Sequence, residues 1–360
     1  MIGLADDVRA IYGGGGSGEV VPSHHHHHHR HHHHHHREVV PSHSVSPLQA
    51  LSGYAVAHGG SFTFSEGVAD MASAVVKAEA ADVALVFVGT RSGEGSDRPN
   101  LALPPEQDAL VRAVAGAQPD TVVCVASPGA VLLPWSGDVA AILATFMPGQ
   151  QAGPAITSLL YGEVNPSGKL PLTFPNKENE VNFTPDQWPG VEAPGEKFTQ
   201  ANYTEHLLVG YRYYDQKKIN FATGFPFGHG LSFTTFTYSK LKVKANLVRC
   251  TITNTGPVAG AEVVQLYLSF PASAGEPPNQ LKGFQKVMLG PGDQARVEFK
   301  LASRHFSIWN SERHRWTVIV FSRPFSFVFS SSQVDGGGWE VWGASGEQQP
   351  RCSIERNNLD

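Results

Sequence analysis

Between Ser44 and Tyr161 the apolar residues follow two alternating rhythms. In Glu66–Ala80 (EGVADMASAVVKAEA), Val68, Met71, Val75 and Val76 recur at helical spacing, which predicts a helix resting on those four side chains. The following Ala81–Gly89 (ADVALVFVG) is almost continuously apolar and rich in valine, the pattern of a strand covered on both faces. Pro104 and Pro105 then open a helix that runs through Val114, because proline in a first turn forfeits no hydrogen bond. Thr121–Ser127 (TVVCVAS) and Ala140–Phe146 (AAILATF) read as two more buried strands. Gln150–Tyr161 reads as a helix ended by Gly162. Strands alternating with helices predict a mostly parallel sheet with helices on both faces, a three-layer α/β/α sandwich.

From about Leu231 the rhythm changes. Short β-rich runs (TYSKLKVKA, LVRCTITN, EVVQLYLSF, ARVEFKL, HRWTVIVF) follow one another without a helical period between them. Turn signals separate them, at Asn254-Thr-Gly and at Gly290-Pro-Gly-Asp. This predicts an antiparallel β-sandwich of immunoglobulin or fibronectin type. The expected division is an α/β/α domain over 1–232, a sandwich over 233–332 and a loose tail over 333–360.

Residues 19–43 follow neither rhythm. EVVPSH occurs at Glu19 and again at Glu38, bracketing two runs of six histidines closed by Arg30 and Arg37, so that 23–37 reads as an insertion in a loop. Twelve of the eighteen histidines lie in those two runs, and such a run binds Ni²⁺, Cu²⁺ or Zn²⁺ in vitro. It lacks the supporting hydrogen bonds that fix a metal's geometry, and no metal site and no cofactor is expected. Gly13–Gly18 (GGGGSG) formally satisfies a dinucleotide-binding pattern. That pattern needs a helix after it, and Pro22 argues against one.

Composition narrows the function classes. With 41% hydrophobic and 16% charged residues the chain is globular, and a net charge of −5 gives no electrostatic case for nucleic acid or an anionic membrane as partner. No apolar run reaches the roughly 18 residues of a membrane span. Cys124, Cys250 and Cys352 form neither a metal spacing nor a disulfide framework, and Cys124 and Cys250 sit in strand-like runs as small hydrophobes. The opening MIGLADD lacks the pattern of a signal peptide, but the amino terminus reads as cut. The sequons Asn182-Phe-Thr and Asn202-Tyr-Thr suit a secreted parent protein, so an extracellular or secretory location is expected for it.

Several blocks, in order along the chain, resemble glycoside hydrolase family 3. Arg91–Gln107 (RSGEGSDRPNLALPPEQ), directly after a predicted parallel strand, is similar to the family's acid/base loop. Pro148–Pro175 (PGQQAGPAITSLLYGEVNPSGKLPLTFP), the GYRYYD and FPFGHGLSFT blocks within Tyr203–Phe236, and Glu262–Trp309 resemble further family blocks, the last from its fibronectin type III-like domain. Ile11–Pro22, continued at Ser44–Leu51, resembles the family's Gly-rich loop split by the histidine insertion. The resemblance departs in two places. The family's amino-terminal (β/α)8 barrel, which carries an aspartate nucleophile in an SDW-type motif, has no counterpart, and no SDW occurs. VFSRPFSFVFSSSQ stands where the family has a Gly-led strand.

The resemblance implies hydrolysis of terminal β-D-glucosides with retention of configuration. Such chemistry needs two carboxyls about 5–5.5 Å apart, one attacking the anomeric carbon and the other protonating the leaving oxygen. By resemblance Glu94 is the second. Its position agrees, just past the carboxyl end of a buried parallel strand and between Gly93 and Gly95. Substrate-binding residues are not identifiable. Asp97 and Arg98 are expected to pair with each other or with neighbours and hold the loop; Phe225, Phe227 and His229 to pack the domain junction; Tyr211, Tyr213 and Tyr214 to pack rather than stack on sugars. The partners implied are a β-glucoside or oligosaccharide and the absent barrel, without which the chain alone is expected to be nearly inactive. The rival reading is a non-catalytic, carbohydrate-associated accessory module; a structural adhesion module fits only the second half.

Overall fold

Four parallel strands in the order β1-β2-β3-β4 form the first sheet: β1 Ile2–Gly3, β2 Ala84–Gly89, β3 Thr121–Ala126 and β4 Ala141–Ala144. They come from a computed structural model that describes residues 2–3, 44–93, 97–195, 198–244, 246–319, 326–330 and 351–353. The Gly13–Gly18 pattern, the histidine insertion, Glu94 and, apart from 351–353, the tail beyond 333 lie outside the described residues. Packing divides the chain into two units, Met1–Val164 with Phe174–Glu178, and Asn165–Thr173 with Asn179–Asp360.

In the first unit the strand register sorts the side chains onto two faces. Leu85, Phe87, Cys124 and Leu143 lie on one face, where Leu51 of α1 (Pro47–Ala57) and Ile156 of α4 (Ala152–Leu160) pack on them. Val86, Val88, Val123 and Val125 alternate with these and are wholly buried on the other face. The remaining helices, α2 (Met71–Glu79) and α3 (Pro105–Ala117), pack against each other, and α3 packs on β2 and β3. The expected α/β/α layering is therefore present. Burial on both faces is why the strands read as unbroken apolar runs.

Local signals start the helices. Ser46 caps α1 by accepting the Gln49 amide at 3.2 Å, with Pro47 in the first turn. Asp70 caps α2 through the Ser73 amide at 3.1 Å. Glu106 and Asp108 place negative charge in the first turn of α3, which has no side-chain cap. One expectation is corrected. The Glu66–Ala80 segment is a 3₁₀ turn followed by α2, and the buried residues of α2 are Ala74 and Ala78, whereas Val68 and Val76 are 40% and 65% exposed. Alanine, with its small side chain, is the residue that α2 buries, while Met71 and Val75 stay half-buried. At Gly153 close approach decides the residue, since a β-carbon there would lie 2.5 Å from the Ser46 carbonyl oxygen.

The second unit begins with a two-stranded ribbon, β5 (Val191–Glu192) with β6 (Thr199–Gln200), and a short helix, α5 (Tyr211–Lys217). The sandwich follows. One sheet is β11-β8-β7 (Gln294–Lys300, Leu247–Asn254, Phe236–Lys244) and the other β10-β9-β14-β15 (Gln280–Leu289, Gly260–Ser269, Ser326–Ser330, Arg351–Ser353). A separate hairpin pairs β12 (Ser307–Asn310) with β13 (Arg315–Val318). Phe236, Val248, Cys250, Ile252, Val264, Leu266, Leu268, Val297 and Phe299 fill the space between the sheets. Strand β9 is buried on both faces. Val264, Leu266 and Leu268 face the core, while the alternate Gln265 and Tyr267 are covered from outside by the 225–229 segment and Tyr211.

Candidate active site

The β2 strand ends at Gly89, and the loop that leaves it carries the Arg91–Gln107 motif. Its exit is tightly built. The Thr90 amide continues the pairing with β3 by donating to the Ala126 carbonyl at 3.0 Å. A β-carbon at Gly89 would lie 2.4 Å from that same oxygen, so only glycine fits. The Gly89 amide donates to the side-chain oxygen of Gln107 on α3 at 2.8 Å, in a buried contact. The loop is thus tied at its start to the helix that follows it.

Its second half is tied to the β3–β4 connection. Arg98 donates from Nη2 to the Ala130 carbonyl at 2.9 Å, and the Leu101 carbonyl accepts the Leu132 amide at 2.9 Å. The Leu101 amide donates to Glu178 Oε2 at 2.8 Å. Among the described residues Nη1 of Arg98 is buried without a hydrogen-bond acceptor, and burial lowers the guanidinium pKa against the opposing attraction of Glu178. Asp97 is exposed and has no hydrogen bond to another described residue. Of the two alternatives expected for Asp97 and Arg98, pairing with each other or with neighbours, Arg98 takes the second, bonding the backbone carbonyl of Ala130.

Between these anchors lies a cleft of about 550 Å³ lined by Arg91, Gly93, Asp97, Arg98, Asn100 and Pro104, among others. It stands at the carboxyl end of a parallel sheet, where open α/β sheets present ligand-binding loops. Glu94, the expected proton donor, falls in the sequence between the two lining residues Gly93 and Asp97. Below the cleft, α3 is fixed to the β3–β4 connection through Asp108, which accepts the indole N–H of wholly buried Trp135 at 2.7 Å. Burial raises the Asp108 pKa, opposed by that hydrogen bond and by Arg112. Among the described residues no cluster of three or more His, Cys, Asp or Glu is placed to hold a metal ion, and no helix is long and apolar enough to cross a membrane.

The second unit holds a different polar group of residues. Lys169, buried, donates to the Gly230 carbonyl at 2.7 Å and lies 3.5 Å from Glu262, which also accepts the Tyr238 hydroxyl at 2.8 Å. Burial pushes Glu262 up and Lys169 down, while their mutual attraction opposes both shifts. Burial also pushes His229 down to about 4, with Lys169 adding to the effect, so the ring is neutral at ordinary pH. The Leu170 amide donates to the His229 carbonyl at 2.7 Å, which joins the NPSGKLP and FPFGHG blocks inside the second unit. Tyr211 stacks on Phe227 at 4.7 Å between ring centres and accepts the Leu281 amide, and Tyr214 stacks on Phe221 at 5.4 Å. Both therefore pack, as the sequence suggests. Cys124 and Cys250 are buried and free, their thiols pushed up to about 12 and 11.

Sequence reasoning passed over two groups, Gln107 and the Lys169–Glu262 pair. Each lies inside a quoted block, but their use depends on which strand end or carbonyl comes opposite, and spacing carries no sign of that.

Comparison with known proteins matches the glycosyl hydrolase family 3 C-terminal domain over residues 1–233 and a fibronectin type III-like domain over residues 262–322. A probable beta-glucosidase I of Aspergillus oryzae is 37% identical over 294 residues, covering 74% of this chain and 34% of that protein. Thermostable beta-glucosidase B of Acetivibrio thermocellus is 40% identical over 253 residues, covering 67% and 32%. The chain thus spans about a third of the length of these curated relatives. Among solved structures, DesR, a beta-glucosidase from Streptomyces venezuelae in complex with D-glucose, aligns with a TM-score of 0.67 at 38% identity, over 73% of this chain and 34% of that one. A Bifidobacterium adolescentis family 3 beta-glucosidase aligns at 0.71 and 34%, over 81% and 44%.

Proposed function

We propose, from the premise that this chain belongs to glycosyl hydrolase family 3, that it supplies the acid/base half of a retaining enzyme releasing terminal β-D-glucose from β-glucosides. The observation that carries this reading is the anchored loop at the carboxyl end of β2, with a cleft of about 550 Å³ on the residues flanking Glu94. In the proposed reaction Glu94 protonates the departing glycosidic oxygen and then draws a proton from the water that releases the sugar. The aspartate nucleophile comes from a barrel domain outside this chain, and the chain by itself is nearly inactive, because members of a catalytic pair act as a unit. An extracellular or secretory location for the parent protein is supported by the sequons, whose asparagines Asn182 and Asn202 are both exposed.

The test is turnover of an aryl β-glucoside by the chain alone and by the chain co-expressed with a family 3 barrel. We expect turnover only from the pair, with the β-anomer of glucose released first. Glu94→Gln in the pair is expected to lower it by roughly 10²–10⁴-fold. Strong turnover by the chain alone contradicts the division of labour. An active pair indifferent to Glu94→Gln removes Glu94 from the mechanism. The second reading is a non-catalytic, carbohydrate-associated accessory module. Binding of glucosides without turnover, even beside the barrel, would establish that alternative.

A further inference from the structure

Gln107 lies on α3, away from the cleft lining, yet its side chain ends at the strand that launches the acid/base loop. Strand geometry explains why it is needed there. The amides of Ala84 and Thr90 donate toward β3, to the carbonyls of Asp120 and Ala126. Amides alternate sides along a strand, so that of Gly89 points the other way, toward β1. The described pairing of β1 with β2 ends at Gly3 opposite Phe87. At Gly89 the buried acceptor is instead the Gln107 oxygen, at 2.8 Å.

We propose that Gln107 is a positioning residue for the reaction. Standing in for a strand partner, it fixes where β2 stops and therefore where the loop bearing Glu94 begins. Arg98, held on the Ala130 carbonyl, fixes the other side of Glu94 in the sequence. The two anchors belong to different elements, α3 and the β3–β4 connection. The described ends of the loop, up to Gly93 and from Asp97, are thereby tied to the rigid sheet, as a proton donor carried between them requires. This role rests on the acid/base reading of Glu94, and the experiment separates the two.

Gln107→Met keeps the side-chain volume and removes the acceptor, whereas Gln107→Glu keeps an acceptor at the same reach. On the full chain, hydrogen exchange is expected to quicken about tenfold in Gln107→Met over 89–93 and 97–104, with β3 unchanged, and to be restored in Gln107→Glu. In the pair with the co-expressed barrel, Gln107→Met is expected to lower kcat for an aryl β-glucoside by roughly ten- to a hundredfold with KM nearly constant. The limb of the pH profile that reports the acid should shift with it. Unchanged exchange and kcat overturn the proposal. So does an equal loss of protection throughout β3, which would make Gln107 a general support of the sheet. If the unsubstituted pair shows no turnover, the functional reading fails by itself, and exchange still decides whether Gln107 anchors the loop.

Discussion

The two units handle buried polarity in opposite ways. At the end of β2 the loop is anchored by single hydrogen bonds, none of them part of an ion pair among the described residues: the Gly89 amide to Gln107, Arg98 to the Ala130 carbonyl, and the Leu101 amide to the exposed carboxylate of Glu178. In the second unit a full ion pair, Lys169–Glu262, is enclosed with a tyrosine hydroxyl and lies beside a neutral histidine. The first arrangement leaves an open cleft and costs little if one bond is lost. The second leaves no opening, and each charge there depends on the other. A site needs the former, whereas a joint between chain segments that must hold one register can use the latter.

This contrast is sharpest under substitution. Glu262→Leu strands the Lys169 ammonium in the interior, and we expect a loss of about 3–5 kcal/mol in chemical unfolding. The double variant with Lys169→Met should recover most of it. A single-variant loss below about 1 kcal/mol would show that the pair is better solvated than its burial indicates. Next in size is the effect of acid. The folded pKa of His229 is depressed from 6.5 to about 4, so below 6.5 the unfolded chain takes up a proton that the folded one refuses. Stability present above pH 6.5 should therefore fall, by on the order of 3 kcal/mol, as the pH drops toward 4, and should level off below that. In His229→Gln that slope should flatten; an unaltered slope would place its origin elsewhere. The smallest effect belongs to the first unit. Gly89→Ala drives a β-carbon against the Ala126 oxygen, and a loss of about 1–3 kcal/mol is expected in the same unfolding measurement. A cost equal to that of Glu262→Leu would erase the distinction between the two regions.

The sequence announced the strands of the first sheet clearly because both their faces are buried and the runs are unbroken. Helix α1 carries a ready start signal in Ser46-Pro47, but of its residues only Pro47, Leu51 and Ala55 are buried, too few large apolar side chains to mark a helical period. Strand β10 was missed for a physical reason: Lys282, Gly283, Gln285 and Lys286 interrupt its apolar residues, and Phe284 and Met288 stay 68% and 72% exposed at the sheet edge. For α2 the period was right but the buried face was misjudged, since alanine gives a weak signal in any count of large apolar residues. At the site, the loop was legible through resemblance. Its anchors were not, because a hydrogen bond from the Gly89 amide to the Gln107 side-chain oxygen joins positions whose meeting depends on the length of β2 and the placement of α3.

The path of the chain between the two units carries a practical consequence. It leaves the first at Val164, returns for Phe174–Glu178 and leaves again. In that brief return Phe174 becomes wholly buried, edge-on to Phe146, and Glu178 takes the Leu101 amide. A shortened protein ending at 164 would lack both, emptying a core pocket and loosening one tether of the loop that follows β2. Because the first unit takes up Phe174–Glu178 after the second has begun, no single peptide bond divides the chain into the two units.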